Sequence, residues 1–293
     1  MFGTRLIEML QSMFAPELNW FFLAITMLGN DVVLVGLSAA VYWCIDKRRG
    51  RLVTYILLIS AYLNYFLKVL VPWPRPPVDL RIAERNETSY GFPSGHAQDS
   101  TTFWTWIALN FRKRILTILG AMVVVAVGIS RVYLGLHYLA QVIGGWVIGL
   151  VVAGLAFLAL RRISQRNGGI RGMPQLIFAV STLAPLAIAV ALNVAEVNAA
   201  QIGGYLFGFS VGALAEDRYV HFTIATGLGL KIVRLAMGGA LTGALVLALG
   251  AILPEKYLIS VFANSVIRGL FVAVIVPALF VIIERRSTQR APD

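Results

Sequence analysis

The sequence predicts an all-α integral membrane protein, a polytopic helical bundle of about nine transmembrane helices. Three observations predict it. Of 293 residues, 58% are hydrophobic and 13% charged, and the mean hydropathy is +0.78, whereas a soluble domain is roughly half apolar and about a quarter charged. The apolar residues also fall into runs close to the roughly 20 residues that cross a hydrocarbon core. Finally, the basic residues, 25 against 14 acidic, gather in short clusters between those runs, the pattern of cytoplasmic loops. A soluble fold, a disordered chain, a disulfide scaffold and a coiled coil are thereby excluded, and the net charge of +11 belongs to membrane sidedness rather than to a nucleic-acid partner.

Taken in order, residues 1–15 carry one basic residue, Arg5, with Leu6, Met9, Leu10 and Met13 at helical spacing. That reads as an amphipathic helix on the membrane surface, not a cleavable signal. Apolar runs follow at 32–46, with a short helix before it, then 52–71, 97–111, 115–131 and 138–160. Four more lie at 174–192, 198–214, 230–252 and 258–283. The loop Arg161–Arg171, with Asn167, Gly168 and Gly169, divides the chain: residues 1–165 form the amphipathic helix and a five-helix core, and 166–293 a four-helix membrane extension of unknown role. The basic clusters Lys47 to Arg51, Arg112 to Arg114, Arg161 to Arg171 and Arg285 to Arg290 fall on one side if nine spans alternate. That side is cytoplasmic, so the N-terminus and the segments 72–96 and 132–137 face outward and the C-terminus inward, in a plasma or bacterial inner membrane. The pairs Gly145/Gly149, Gly204/Gly208 and Gly239/Gly243 have the spacing of close helix packing. The lone Cys44 sits in an apolar run.

Ionisable groups at membrane helix ends are costly unless they have a role, and the outward segments concentrate them. Lys68 precedes Pro72-Trp73-Pro74-Arg75-Pro76, whose prolines stop the second helix and hold an extended strap. Pro93-Ser94-Gly95-His96 opens the third span, where free backbone amides at a helix start favour an anion. Arg131 ends the fourth span with a fork suited to phosphate oxygens. His137 opens the fifth, with Gln141 four residues on and on the same face. The Gln141 carbonyl can accept the proton of one imidazole nitrogen and leave the other free to attack. Two arginines, a lysine, a serine and two histidines on one face amount to an oxyanion site with a nucleophile and an acid. With three His and one Cys in the chain, and only Asp99 near the two site histidines, the chemistry expected is metal-independent and without a cofactor. His221 is expected in a cytoplasmic loop, a bystander.

These segments resemble the three-part signature of the type 2 phosphatidic acid phosphatase superfamily: Lys68 with six residues before Arg75-Pro76, Pro93-Ser94-Gly95-His96, then Ser130-Arg131 with five residues before His137. The resemblance covers roughly residues 60–150. It implies a helical membrane phosphatase in which Lys68, Arg75 and Arg131, helped by Ser94 and Gly95, hold the phosphoryl oxygens. His137 would be the nucleophile that forms a phosphohistidine, and His96 the acid for the leaving alcohol. Where the family usually has Asp four residues after the nucleophile, Gln141 stands here, as in glucose-6-phosphatases and dolichyl pyrophosphate phosphatases, which the stretch also resembles. An amide orients the imidazole with less electrostatic help than a carboxylate.

A site at the membrane boundary suits a lipid substrate: phosphatidic acid, phosphatidylglycerol phosphate or a polyprenyl pyrophosphate. A soluble sugar phosphate is the alternative, and a phospholipid binder or carrier another; a carrier has no use for an imidazole with an orienting partner. Other partners are membrane lipids, and the oligomeric state is open. The charges Asp79, Arg81, Glu84, Arg85 and Glu87 read as a solvated surface, with a gate over the site as the alternative. Arg268, within the last run, calls for a carboxylate such as Asp31, Asp99 or Glu196, or else a lipid phosphate, and Lys231 and Arg234 for anionic lipid heads.

Overall fold

The computed structural model describes residues 3–83, 87–167, 179–191, 194, 196–253 and 257–289. They form two compact units, Met1–Leu37 with Val53–Gly168, and Ser38–Leu52 with Gly169–Asp293. The first unit holds α1 (Arg5–Phe14), α2 (Asn19–Met27), the start of α3 (Asp31–Cys44), most of α4 (Lys47–Leu70), α5 (Gly95–Phe111), α6 (Arg114–Tyr133) and α7 (Leu139–Asn167). The second holds the remainder of α3 and α4, then α8 (Ala184–Ala191), α9 (Val197–Ala215), α10 (Leu228–Ile252), α11 (Leu258–Leu270) and α12 (Val276–Gln289). One π-helical turn, Glu216–Val220, follows α9, and another, Phe271–Ile275, joins α11 to α12.

The helices begin and end for local reasons. Prolines at 72, 74, 76 and 77 cannot supply the donors that α4 would need, which leaves Lys68 on its last turn. Gly29 and Asn30 separate α2 from α3, bending the pair by 46°, and the Asn30 side chain accepts from the Val32 amide to start α3. After α6 the chain reverses through Gly135 at φ 69°, a conformation that disfavours a side chain and here also brings its Cα against the Leu80 carbonyl.

Among the described residues, five helices are long and apolar enough to cross a membrane: α4, α6, α7, α10 and the continuous run Leu258–Glu284. The bent α2–α3 pair would make a sixth. The sequence count of about nine is not reached. α5 has 17 residues and opens on the polar run Gln98 to Thr102, α8 has only eight, and part of the run 174–192 lies outside the described residues.

In the first unit α5 packs against α6 and α7. Gly145 and Gly149 make the approach to α7 possible: a methyl on Gly145 would stand 2.7 Å from the Ser94 carbonyl oxygen, and one on Gly149 2.5 Å from that of Gln98. α1 lies against α6 through buried Ile7, which clusters with Ala97, Val132 and Val142, while Met9 and Met13 stay exposed. In the second unit Gly204 and Gly208 meet the backbone of α11 in the same manner. The third glycine pair does not serve packing, because Gly239 and Gly243 have nothing within 4 Å of a methyl placed there. α10 is the least buried of the spanning helices, at 11%.

The second unit also corrects one expectation. Arg234 is 2% exposed and bonds both carboxylate oxygens of Glu284 at 2.7 and 2.8 Å and the Thr223 carbonyl at 2.7 Å. It is an internal clamp, not a lipid-head contact. At the start of α4, Lys47 and Arg51 bracket Glu216 and Asp217, at 2.5 Å from Glu216 and 2.6 Å from Asp217 respectively.

Candidate active site

The first unit brings all eight sequence-predicted site residues, Lys68, Arg75, Ser94, Gly95, His96, Arg131, His137 and Gln141, to the ends of α4, α5, α6 and α7 that share one face. His137, 1% exposed, sits in the α6–α7 turn, its amide bonded to the Arg131 carbonyl at 3.2 Å. Arg75 Nη1 approaches its Nε2 at 3.1 Å, and Gln141 Oε1 its Nδ1 at 3.2 Å. A guanidinium only donates, so Nε2 accepts and carries the lone pair, and the ring proton on Nδ1 is donated to Gln141. The amide is itself fixed at both ends: Oε1 also accepts from the Tyr138 N–H at 3.1 Å, and Nε2 donates to the Pro74 carbonyl at 2.8 Å. Burial, followed by the charges of Arg75, Arg131 and Lys68, holds the His137 imidazole well below its usual value of 6.5, against a smaller opposing bond from Gln141.

The cations are placed mainly by hydrogen bonds to neutral groups, with Glu87 3.9 Å from Arg75. Arg75 is fastened to residue 89 twice, through Nε to the Ser89 carbonyl at 2.7 Å and Nη2 to its hydroxyl at 3.0 Å. It also bonds the Leu136 carbonyl at 3.1 Å. Lys68 Nζ donates to the same Ser89 hydroxyl at 3.2 Å, so one serine spaces two positive groups. Arg131, 2% exposed, donates to Thr26 Oγ1 on α2 at 3.1 Å. Asp31 and His96 lie in electrostatic reach of both Lys68 and Arg131.

The start of α5 is prepared for an anion. Ser94 is fully buried, its amide donates to the Gln141 carbonyl at 3.1 Å, and its hydroxyl neither caps the helix nor bonds another described residue. Gly95 is not demanded by close packing, since a methyl there would meet only Asn64 Oδ1 at 3.4 Å. Below it a buried ladder ties α4 to α5: Asn64 to Gln98 at 2.9 Å, Gln98 to the Ser60 carbonyl at 2.8 Å, and the Ser60 hydroxyl to Asp99 at 2.6 Å. His96 Cβ would lie 3.2 Å from a methyl on Gly29, so the α2–α3 break covers it closely. Among the described residues no three His, Cys, Asp or Glu side chains converge.

Several contributors escape sequence reasoning. Gln11 on α1 bonds the carbonyls of Leu80 and Tyr133 at 2.9 and 2.8 Å, and Thr26, Ser89 and Gly91 have no motif; a methyl on Gly91 would collide with the Gln141 side chain. Of the charges read as a solvated surface, Asp79 is exposed as expected and Arg81 is not. Arg81, 8% exposed, bonds the carbonyls of Pro76 and Glu87 at 3.0 Å each. Burial opposes ionisation of Glu87, but bonds from Ser89 and the charges of Arg75 and Lys68 bring its carboxyl below its ordinary value. Glu84 and Arg85 lie outside the described residues.

Fold and site together define a helical membrane protein with convergent cations and a neutral imidazole, an arrangement suited to phosphoryl groups. Comparison with known families agrees: residues 49–166 match the PAP2 superfamily, and residues 200–288 match the PAP2 superfamily phosphatase, transmembrane extension. The chain is 31% identical over 150 residues to phosphatidylglycerophosphatase B of Bacillus subtilis (strain 168), covering 47% of this chain and 72% of the relative. It is 29% identical over 164 residues to sphingosine-1-phosphate phosphatase 2 of Mus musculus, covering 53% of this chain and 46% of that longer protein. A solved transmembrane PAP2-type phosphatidylglycerolphosphate phosphatase from Bacillus subtilis aligns at 27% identity with a TM-score of 0.49, over 56% of this chain and 87% of that one. The chain belongs to the PAP2 superfamily.

Proposed function

We propose that the protein is a membrane phosphatase that removes a phosphoryl group from a lipid phosphomonoester or diphosphate through a phosphohistidine on His137. The observation that carries this reading is the double hold on the imidazole, with Nδ1–H engaged by Gln141 and the Nε2 lone pair directed at Arg75. An entering phosphoryl group takes Arg75 Nη1 as a ligand and so uncovers Nε2. The lone pair attacks phosphorus as the P–O bond to the leaving group breaks, with Lys68, Arg75, Arg131 and Ser94 and the α5 amides around Gly95 taking up charge on the equatorial oxygens. His96 donates its proton to the departing oxygen, then accepts one from the water that attacks the phosphohistidine. P–N cleavage restores neutral His137 and frees phosphate. Gln141 stabilises the imidazolium only as a dipole, which the surrounding burial makes more effective than it is in water.

A lipid substrate is supported by the two relatives, whose names both carry lipid phosphates, and by a site at helix ends flanked by exposed apolar residues such as Leu70 and Leu139. With the basic clusters inside, His137 faces the non-cytoplasmic side and the C-terminus the cytoplasm. Phosphate release by detergent-purified protein tests the reading, with phosphatidic acid, phosphatidylglycerol phosphate, a polyprenyl pyrophosphate and glucose 6-phosphate compared. Turnover of a lipid that falls at least about a thousandfold in His137→Ala supports it. Parental turnover in that variant, or preference for the sugar phosphate, contradicts it.

A further inference from the structure

At the end of α6 remote from Arg131, a cavity of about 710 Å³ opens between the ends of α5, α6 and α7. The 20 residues of α6 put it about 30 Å from the catalytic histidine, on the opposite membrane face. Arg112, Arg114 and Arg161, one from each of the three converging segments, line it with Asn110 and Thr117. No acidic side chain lines the cavity, and none of the three arginines forms an ion pair with a carboxylate among the described residues. Arg112 stands at φ 51° and ψ 31°, a left-handed conformation that disfavours a side-chain-bearing residue. The two-residue α5–α6 turn thus keeps an arginine at a position where glycine or asparagine would relax the backbone.

Three mutually repelling guanidiniums around an open cavity are arranged for an anion. Their planar forks match phosphate oxygens, and the start of α6, without a side-chain cap, adds unpaired amides. The remaining wall is apolar, with Leu109 and Phe157, and Ile115, Ile118 and Leu158, neighbours in sequence of the lining residues, are 59%, 46% and 51% exposed. Charge at the rim and apolar surface below it are the two halves of a phospholipid.

We propose that this cavity is a second phosphate site, separate from the reaction centre, which holds the phosphodiester headgroup of an anionic phospholipid. No histidine lines it, and Thr117 has no base among the lining residues to activate its hydroxyl, so the site binds without reacting, and the inference stands apart from the phosphatase reading. The full chain in detergent is titrated with phosphatidylglycerol, phosphatidylcholine and inorganic phosphate, and bound ligand is counted by native mass spectrometry. The parent is expected to retain phosphatidylglycerol over phosphatidylcholine, with R112Q/R114Q/R161Q binding it at least about tenfold more weakly. Arg161→Gln alone gives a smaller loss in the same direction, and its unchanged melting temperature shows that the fold is kept. Lys113→Gln, next to the cavity but not lining it, and Arg131→Gln, in the outward site, keep the lipid. Equal retention of both lipids, or undiminished binding by the triple variant, overturns the proposal. Loss of the lipid on Arg131→Gln assigns it to the outward site, and saturation by inorganic phosphate at concentrations that leave no lipid bound makes the ligand a free anion; either overturns it as well.

Discussion

His137 has two neighbours that determine its chemistry, and each makes a prediction. Its imidazole is held neutral by burial and by three nearby cations. The folded pKa lies below the unfolded one, so as pH falls through about 6.5 the unfolded chain takes up the proton first and stability declines. The nucleophile itself stays deprotonated to lower pH. Protonation of the nucleophile is therefore expected to take nothing from kcat/KM as pH falls through 6.5; half-loss there would mean an ordinary imidazole. The second neighbour is Gln141, whose Nε2 donates to the Pro74 carbonyl at 2.8 Å. Gln141→Glu conserves shape yet sets a carboxylate oxygen against that carbonyl. Although a negative charge would favour the imidazolium, the variant is expected to lose about 1–3 kcal/mol of stability and several degrees of melting temperature. A melting temperature at or above the parent's would show that the amide is not needed there.

The residue types of this site were legible in the sequence, because Lys68, Arg75, His96, Arg131 and His137 are ionisable groups where a membrane chain should have none. Their spacers were not. Thr26 lies in an apolar run and becomes a ligand of Arg131 only because the helix breaks at Gly29, a tertiary event that local composition does not encode.

At the scale of elements, loops do the positioning. The strap after α4 and the segment 87–91 meet through Ser89, whose hydroxyl accepts from Lys68 and Arg75 together. Ser89→Ala removes that shared acceptor and lets two like charges spread. Since a hydrogen bond from a charged donor contributes about 1.5–3 kcal/mol, KM is expected to rise roughly tenfold or more, with the melting temperature lowered by several degrees. Steady-state kinetics at matched protein stability check this; an unaltered KM would show that the cations hold their places without it. The sequence placed most helices correctly, since apolar runs bounded by prolines and basic clusters are strong signals. It misread Arg81 as solvated, because a buried arginine with backbone partners looks in sequence like any surface arginine, whereas Asp79 is exposed as read. It also read Gly239/Gly243 as an interface, because small-residue spacing marks a face able to approach another helix without showing that one is there.

At the scale of the molecule, both units use glycine-mediated helix contact. The first adds buried polar groups around the site, and the second adds ion pairs. Arg234 is 2% exposed while Glu284 keeps 29% of its side chain accessible, so breaking the pair costs toward the lower end of the buried range, about 3 kcal/mol. Arg234→Gln should lower the melting temperature by about 10 °C, measured by fluorescence in detergent; a shift within a degree would make the clamp ornamental. What the sequence could not give at this scale was the span count, because polar α5 and short α8 do not separate from buried helices by length and hydropathy alone.

The central claim is a covalent intermediate on one imidazole nitrogen, and the most direct test is to trap it. Protein incubated with a lipid substrate labelled at the terminal phosphoryl group is quenched and digested, and the phosphopeptides are mapped. The account predicts an acid-labile, base-stable phosphate on the peptide that carries His137, absent in His137→Ala and accumulating in His96→Ala with an activated leaving group. Phosphate release from the parent with no labelled peptide, or a label that persists in His137→Ala, would contradict it.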